Sequence, residues 1–141
     1  MNIPKISSLV LLLLFAGCTS PAKRGAPDCS RQSFPEFLSH FSTDVSFQRQ
    51  AVVYPLVKMQ VIDAEPEPRP HTTRQSQEEV VFPVMPDKKK RDADGLMLET
   101  ESVQATDAKV LLYKPDTDYQ VIYIFERTAC WQLTEIQDWS L

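Results

Sequence analysis

His40 and Asp44 stand four residues apart. On a helix that spacing sets an imidazole and a carboxylate on successive turns, from which a general base could be built. Glu126, Glu135 and Asp138 form a second set of acids, flanking the last hairpin of the chain. Paired carboxylates can divide acid and base roles between them. Neither set has the company that catalysis needs. His71, the other histidine, lies in a proline-rich stretch, and neither histidine has a partner at metal-ligand spacing such as HxxxH. There is no GxSxG, no HExxH and no glycine loop to cradle phosphate, and three glycines in 141 residues leave little room for one. The residues therefore read as a surface pair at His40 and Asp44 and as solvated acids at strand ends. No catalytic residue, metal ligand or cofactor is assigned.

The cysteines carry more information. Leu9 to Ala16 is an apolar run of eight residues behind a start whose only charge is Lys5. A membrane-spanning helix needs roughly 20 residues, so this run is a signal peptide rather than an anchor helix. It ends in Phe15-Ala16-Gly17-Cys18, which resembles the lipobox of bacterial lipoproteins. In that family cleavage falls before the cysteine, here between Gly17 and Cys18, and the thiol carries a diacylglycerol. Residues 1–17 are thus expected as signal peptide and 18–32 as a lipidated tether, rich in Pro, Gly and polar residues. A palmitate-like chain buries about 0.8 kcal/mol per methylene, and two or three chains hold a protein at a bilayer. Thr19, where an Asp would resemble an inner-membrane retention signal, favours the outer membrane, with the domain facing the periplasm. Export also places Cys29 and Cys130 in an oxidising compartment, where pairing is favoured over a metal site without CxxC spacing.

Residues 33–141 suit a single domain with one core. Removal of residues 1–17 takes away one positive charge, so the net charge of −4 becomes −5. An acidic domain is a poor partner for nucleic acid, whose binding rests on phosphate neutralisation. Lys88-Lys89-Lys90-Arg91, flanked by Asp87, Asp92 and Asp94, reads as a solvated helix face.

Ser33 followed by Glu36 is a capping box, and Phe34, Phe37, Leu38 and Phe41 then recur at i, i+3, i+4 and i+7. This predicts an amphipathic helix. A second short helix is expected from Asp44 through Arg49, with Val45 and Phe47 packing inward. From Ala51 to Ile62 the residues favour strand, with a bulge or edge position at Pro55. Residues 65–70 alternate proline with charge and read as an extended loop. Strands are expected over 79–85, 96–104, 109–114, 119–126 and 131–138, with helical turns over 86–94 closed by Gly95. Helices first and an antiparallel meander afterwards make an α+β domain.

Two segments share a pattern. Phe34, Phe37, Phe41, Asp44, Phe47 and Gln48 precede Tyr54-Pro55-Leu56, and Tyr123 and Phe125 precede Trp131, Leu133, Ile136, Asp138 and Ser140. Together they resemble an uncharacterised family of bacterial lipoproteins, catalogued as domain of unknown function 4348. The resemblance implies a nuclear-transport-factor-2-like cone, in which N-terminal helices pack on a curved antiparallel sheet. It implies no activity, because this fold hosts enzymes, transport factors and inert adaptors. Aromatic residues at alternate strand positions are core by default, but in a cone Tyr54, Tyr113, Tyr123 and Trp131 could line a pocket. Trp139, near the C-terminus, could mark a protein contact. The expectation is a membrane-anchored envelope lipoprotein acting as a binding module. Its partners would be the bilayer through its acyl chains and an unknown protein or small molecule, with immunity-type protection as one version. The alternative is a small cone-fold hydrolase or isomerase using cavity carboxylates.

Overall fold

The computed structural model describes residues 29–141. The signal peptide, the Gly17–Cys18 junction and most of the expected tether lie outside them. A 3₁₀ turn, Cys29–Arg31, leads into helix α1, Phe34–Phe41. The Glu36 carboxylate closes the start of α1, accepting from the Ser33 backbone N–H at 2.9 Å and the Ser33 hydroxyl at 2.7 Å. These bonds hold the Glu36 carboxyl below the usual carboxylate range. Helix α2, Val45–Gln50, follows after a tight turn, with Asp44 as its N-cap accepting from the Ser46 and Phe47 amides. Of the two residues expected to pack inward from α2, Phe47 lies against the core. Val45 does not; it is exposed. The side chain that α2 buries fully is Gln48.

Six strands form one sheet in the order β2-β1-β6-β5-β4-β3. They are β1 Val52–Ile62, β2 Arg69–Gln75, β3 Met97–Val103, β4 Asp107–Tyr113, β5 Gln120–Arg127 and β6 Trp131–Asp138. Helix α3, Lys88–Asp94, precedes β3 and ends at Gly95 in the left-handed region, φ 68°. Its exposed Lys88–Asp92 and Lys90–Asp94 pairs, at 2.7 and 2.8 Å, make it the solvated face that its sequence predicts.

The expected antiparallel meander holds for β3 to β6, but β1 runs parallel to β6, so the sheet is mixed. Strand β1 bulges between Val52 and Val57, around Pro55, and it is an interior strand and not an edge. The edge on that side is β2, which begins inside the segment expected to be loop; β3 is the other edge. The residues of β2 are almost all exposed, and it holds to the sheet through backbone pairing with β1 and a hydrogen bond from the Thr73 hydroxyl to the Lys58 carbonyl at 3.3 Å.

The core lies between the helices and one face of the sheet. Phe34, Phe37 and Phe41 stand on Phe125 of β5, with ring centroids 5.5, 5.5 and 5.2 Å away. Leu56, Val110, Leu112, Leu133 and Met85 fill the space around them.

The segment expected as a strand over 79–85 is no strand. It crosses the open side of the sheet as an irregular strap. Pro83 and Pro86 remove two ladder donors, and the strap's hydrogen bonds run to a side chain instead. Gln48 Oε1 accepts from the Val84 and Met85 amides at 2.8 and 3.4 Å, while Gln48 Nε2 donates to the carbonyls of Phe41 and Met85 at 2.9 and 2.8 Å. One buried amide thus substitutes for a missing strand partner. Gln48→Met fills the same space without these bonds and strands buried N–H and C=O groups, each costing about 1–3 kcal/mol. The expected result is a loss of about 2–4 kcal/mol in urea unfolding. Exchange of the Val84 and Met85 amides should also accelerate far more than exchange in β5.

Candidate functional site

The phenylalanine cluster plugs the middle of the cone and leaves a cavity on either side of it. At the end marked by the β5–β6 turn is a groove of about 560 Å³ lined by Glu36, Phe37, His40, Phe47 and Trp131, beside the Cys29–Cys130 disulfide. The Cα atoms of the two cysteines are 5.3 Å apart, so the bond ties the 3₁₀ turn to the start of β6. The imidazole of His40 meets the Phe47 ring edge-on at 5.7 Å. Its expected partner Asp44 spends its carboxylate on capping α2, so the structure does not assemble the His40–Asp44 base. Glu36, the carboxylate that does share the groove with His40, is held by Ser33.

At the opposite end a cavity of about 340 Å³ opens between the strap and the ends of β1, β5 and β6. Val80 and Val84 of the strap form one wall; Lys58, Gln75, Tyr119, Tyr123 and Asp138 supply the polar groups. The Tyr123 hydroxyl donates to the Val84 carbonyl at 2.9 Å and so braces the strap from the sheet. Burial, and then the nearness of Tyr119 and the Asp138 carboxylate, pushes the Tyr123 phenol well above its ordinary value. Burial and Asp138 raise Tyr119 in the same direction. Lys58 and Asp138 do not pair with each other, and among the described residues neither has an ion-pair partner. The Asp138 carboxylate accepts the Ser140 amide at 3.1 Å.

Of the residues expected to line a pocket, Tyr123 lines this mouth cavity and Trp131 lines the groove, while Tyr54 and Tyr113 line neither. Trp131 Nε1 and the Tyr54 hydroxyl are buried without a hydrogen-bond partner among the described residues. Trp139 is 41% exposed. Of the three late acids, Glu126 is exposed on β5, Glu135 bonds Gln137 at 2.7 Å away from both cavities, and Asp138 lines the mouth. The sequence missed Lys58, Tyr119 and Asp138 as cavity residues. The signal for Asp138 was hidden by a bulge in β6. Ile124 pairs with Glu135 and Phe125 with Leu133, so Thr134 is an extra residue, and it inverts the alternation beyond it. Counting by twos from Trp131 and Leu133 puts Glu135 and Gln137 inside; the bulge puts Ile136 and Asp138 there.

No family model matches the chain, and no curated protein matches it. Solved structures do. A crystal structure of an NTF2-like protein from Bacteroides fragilis superposes with a TM-score of 0.58 at 21% identity, over 78% of this chain and 48% of that one. The fold is nuclear-transport-factor-2-like. An NMR structure of a protein from Bacteroides uniformis ATCC 8492 agrees, with a TM-score of 0.53 at 15% identity over 77% of this chain and 76% of that one. The present chain spans about half the length of the Bacteroides fragilis protein. At these identities the likeness to NTF2-like proteins is one of architecture: helices on the inner face of a curved sheet, with openings at the ends of the cone.

Proposed function

We propose that this chain is an exported NTF2-like domain, held at an envelope membrane by acyl chains on Cys18, that binds a small ligand in the mouth of its cone without chemistry of its own. It would belong with the lipoprotein family of domain of unknown function 4348, at the outer membrane and facing the periplasm. The observation that carries the binding reading is the mouth cavity. It is a concave space in which apolar side chains of β1, β6 and the strap meet several inward polar groups, an arrangement that can both hold and orient a small molecule. The helix-rim carboxylates that could have served catalysis are engaged in capping. The alternative, a cone-fold hydrolase or isomerase, rests on Asp138, the one late acid that faces a cavity. Protection against a toxin would use the same anchored scaffold toward a protein partner.

Two measurements test this reading. A fatty-acid probe fed to cells should label the wild-type chain and leave Cys18→Ser unlabelled; equal labelling of both removes the anchor. Native mass spectrometry of the full chain, extracted from its own envelopes in mild detergent, should show a small-molecule adduct that is lost when Val84→Trp fills the mouth. The same adduct on both proteins, or none on either, removes the mouth as the binding site.

A further inference from the structure

The polar groups of the mouth are of opposite charge and lie apart, which says what kind of ligand would satisfy them. Lys58 follows Leu56 by two residues, on the same inward face of β1. Its register partner on β6 is Ile136, and Gln60 is the register partner of Asp138. Lys58 and Asp138 are thus offset by two residues along neighbouring strands. With strands about 4.8 Å apart and a rise of about 3.3 Å per residue, their Cα atoms sit roughly 8 Å from each other. No ion pair forms between them. An ammonium and a carboxylate facing one small cavity without neutralising each other are poorly satisfied when the cavity is dehydrated. The cavity between them is walled by Leu56, Val80, Val84 and Ile136, all apolar.

We infer that the mouth cavity takes a small zwitterion of the α-amino-acid type with an apolar side chain. The ligand's carboxylate meets Lys58, its ammonium meets Asp138, and its side chain lies on the Val80–Val84 wall. The inference rests on the reading of the mouth as a binding site and deepens it. A neutral apolar ligand would leave both charges unpaired, and a simple anion or cation would leave one. A zwitterion bridges both through two charge-assisted hydrogen bonds of about 2.8 Å each. Tyr119 and Tyr123 stand beside Asp138 as neutral phenols, and burial keeps them so through the physiological range.

The test uses the full chain in detergent, titrated with leucine, N-acetyl-leucine, leucinamide and the dipeptide leucyl-leucine. Binding is followed by calorimetry and by amide shifts at Val84 and Tyr119. Leucine should bind and move both amides. N-acetyl-leucine, which lacks the ammonium, and leucinamide, which lacks the carboxylate, should each bind at least tenfold more weakly. Lys58→Gln should weaken leucine at least tenfold and leave leucinamide unchanged; Asp138→Asn should weaken leucine likewise and leave N-acetyl-leucine unchanged. Tighter binding of the dipeptide than of leucine would overturn the single-residue ligand. Equal binding of leucine and its capped forms would overturn the zwitterion while leaving the mouth as a site. No movement of either amide with any probe, in a protein whose native adduct is still lost in Val84→Trp, would overturn the ligand class alone.

Discussion

Replacing Phe37 by alanine is expected to lower the unfolding free energy by about 3–5 kcal/mol, the range for deleting a buried phenyl ring. Phe37 is 1% exposed and is the hub of the plug. Its ring meets Phe34 at 6.1 Å, Phe41 at 5.6 Å, Phe47 at 5.5 Å and Phe125 at 5.5 Å. The neighbours belong to α1, α2 and β5, so one truncation loosens the contact between both helices and the sheet. The void cannot close easily, because Phe125 is fixed by its strand and Phe41 is itself fully buried. A domain of this size holds roughly 5–15 kcal/mol, so the variant should melt many degrees lower and sit near the limit of folding. Phe37→Leu, which keeps most of the volume, should recover more than half of the loss. A Phe37→Ala protein with an unchanged urea midpoint would contradict the packing of α1 on the sheet.

What the sequence made legible was whatever depends on neighbours close along the chain. The Phe34, Phe37 and Phe41 stripe, the Ser33–Glu36 cap, the short helix beginning at Asp44 and the Gly95 stop are all local, and each is present in the structure. Five of the six strands lie close to their expected bounds: β1 carries its own run of strand-favouring residues, and β3 to β6 follow one another as hairpins. The errors fall where a distant partner decides. Arg69–Gln75 has no apolar alternation, since an edge strand exposed on both faces needs only backbone pairing. Residues 79–85 are dense in valine and phenylalanine, yet the partner that shapes them is Gln48, more than thirty residues earlier. A buried glutamine gives no sequence signal, because its role exists only once the strap is in place. The site suffered in the same way. Trp131 and Tyr123 were found as aromatic residues at strand positions, but Asp138 reaches the mouth only through the Thr134 bulge, and no sequence pattern singles out Lys58.

Breaking the Cys29–Cys130 bond is expected to cost up to about 4.7 kcal/mol, the chain-entropy value for a loop of roughly 100 residues. The sequence separation is 101, so nearly the whole domain lies inside the loop. The bond stabilises chiefly by restricting the unfolded chain, and the native fold should survive its loss. The structure explains why. Phe34 follows the 3₁₀ turn and packs on Trp131, one residue after Cys130, with ring centroids 4.9 Å apart. The two ends of the loop are therefore held together by aromatic packing as well as by sulfur, and the cysteine Cα separation of 5.3 Å falls within the ordinary disulfide range. Cys130→Ser should then lower the urea midpoint strongly while leaving the near-ultraviolet spectrum of the folded protein close to wild type. In the unreduced, denatured wild-type chain, the peptides holding Cys29 and Cys130 should take up no alkylating reagent, and both should take it up after reduction. Alkylation of both without reductant would show two free thiols. A midpoint unchanged by reduction would overturn the stabilising role of the bond.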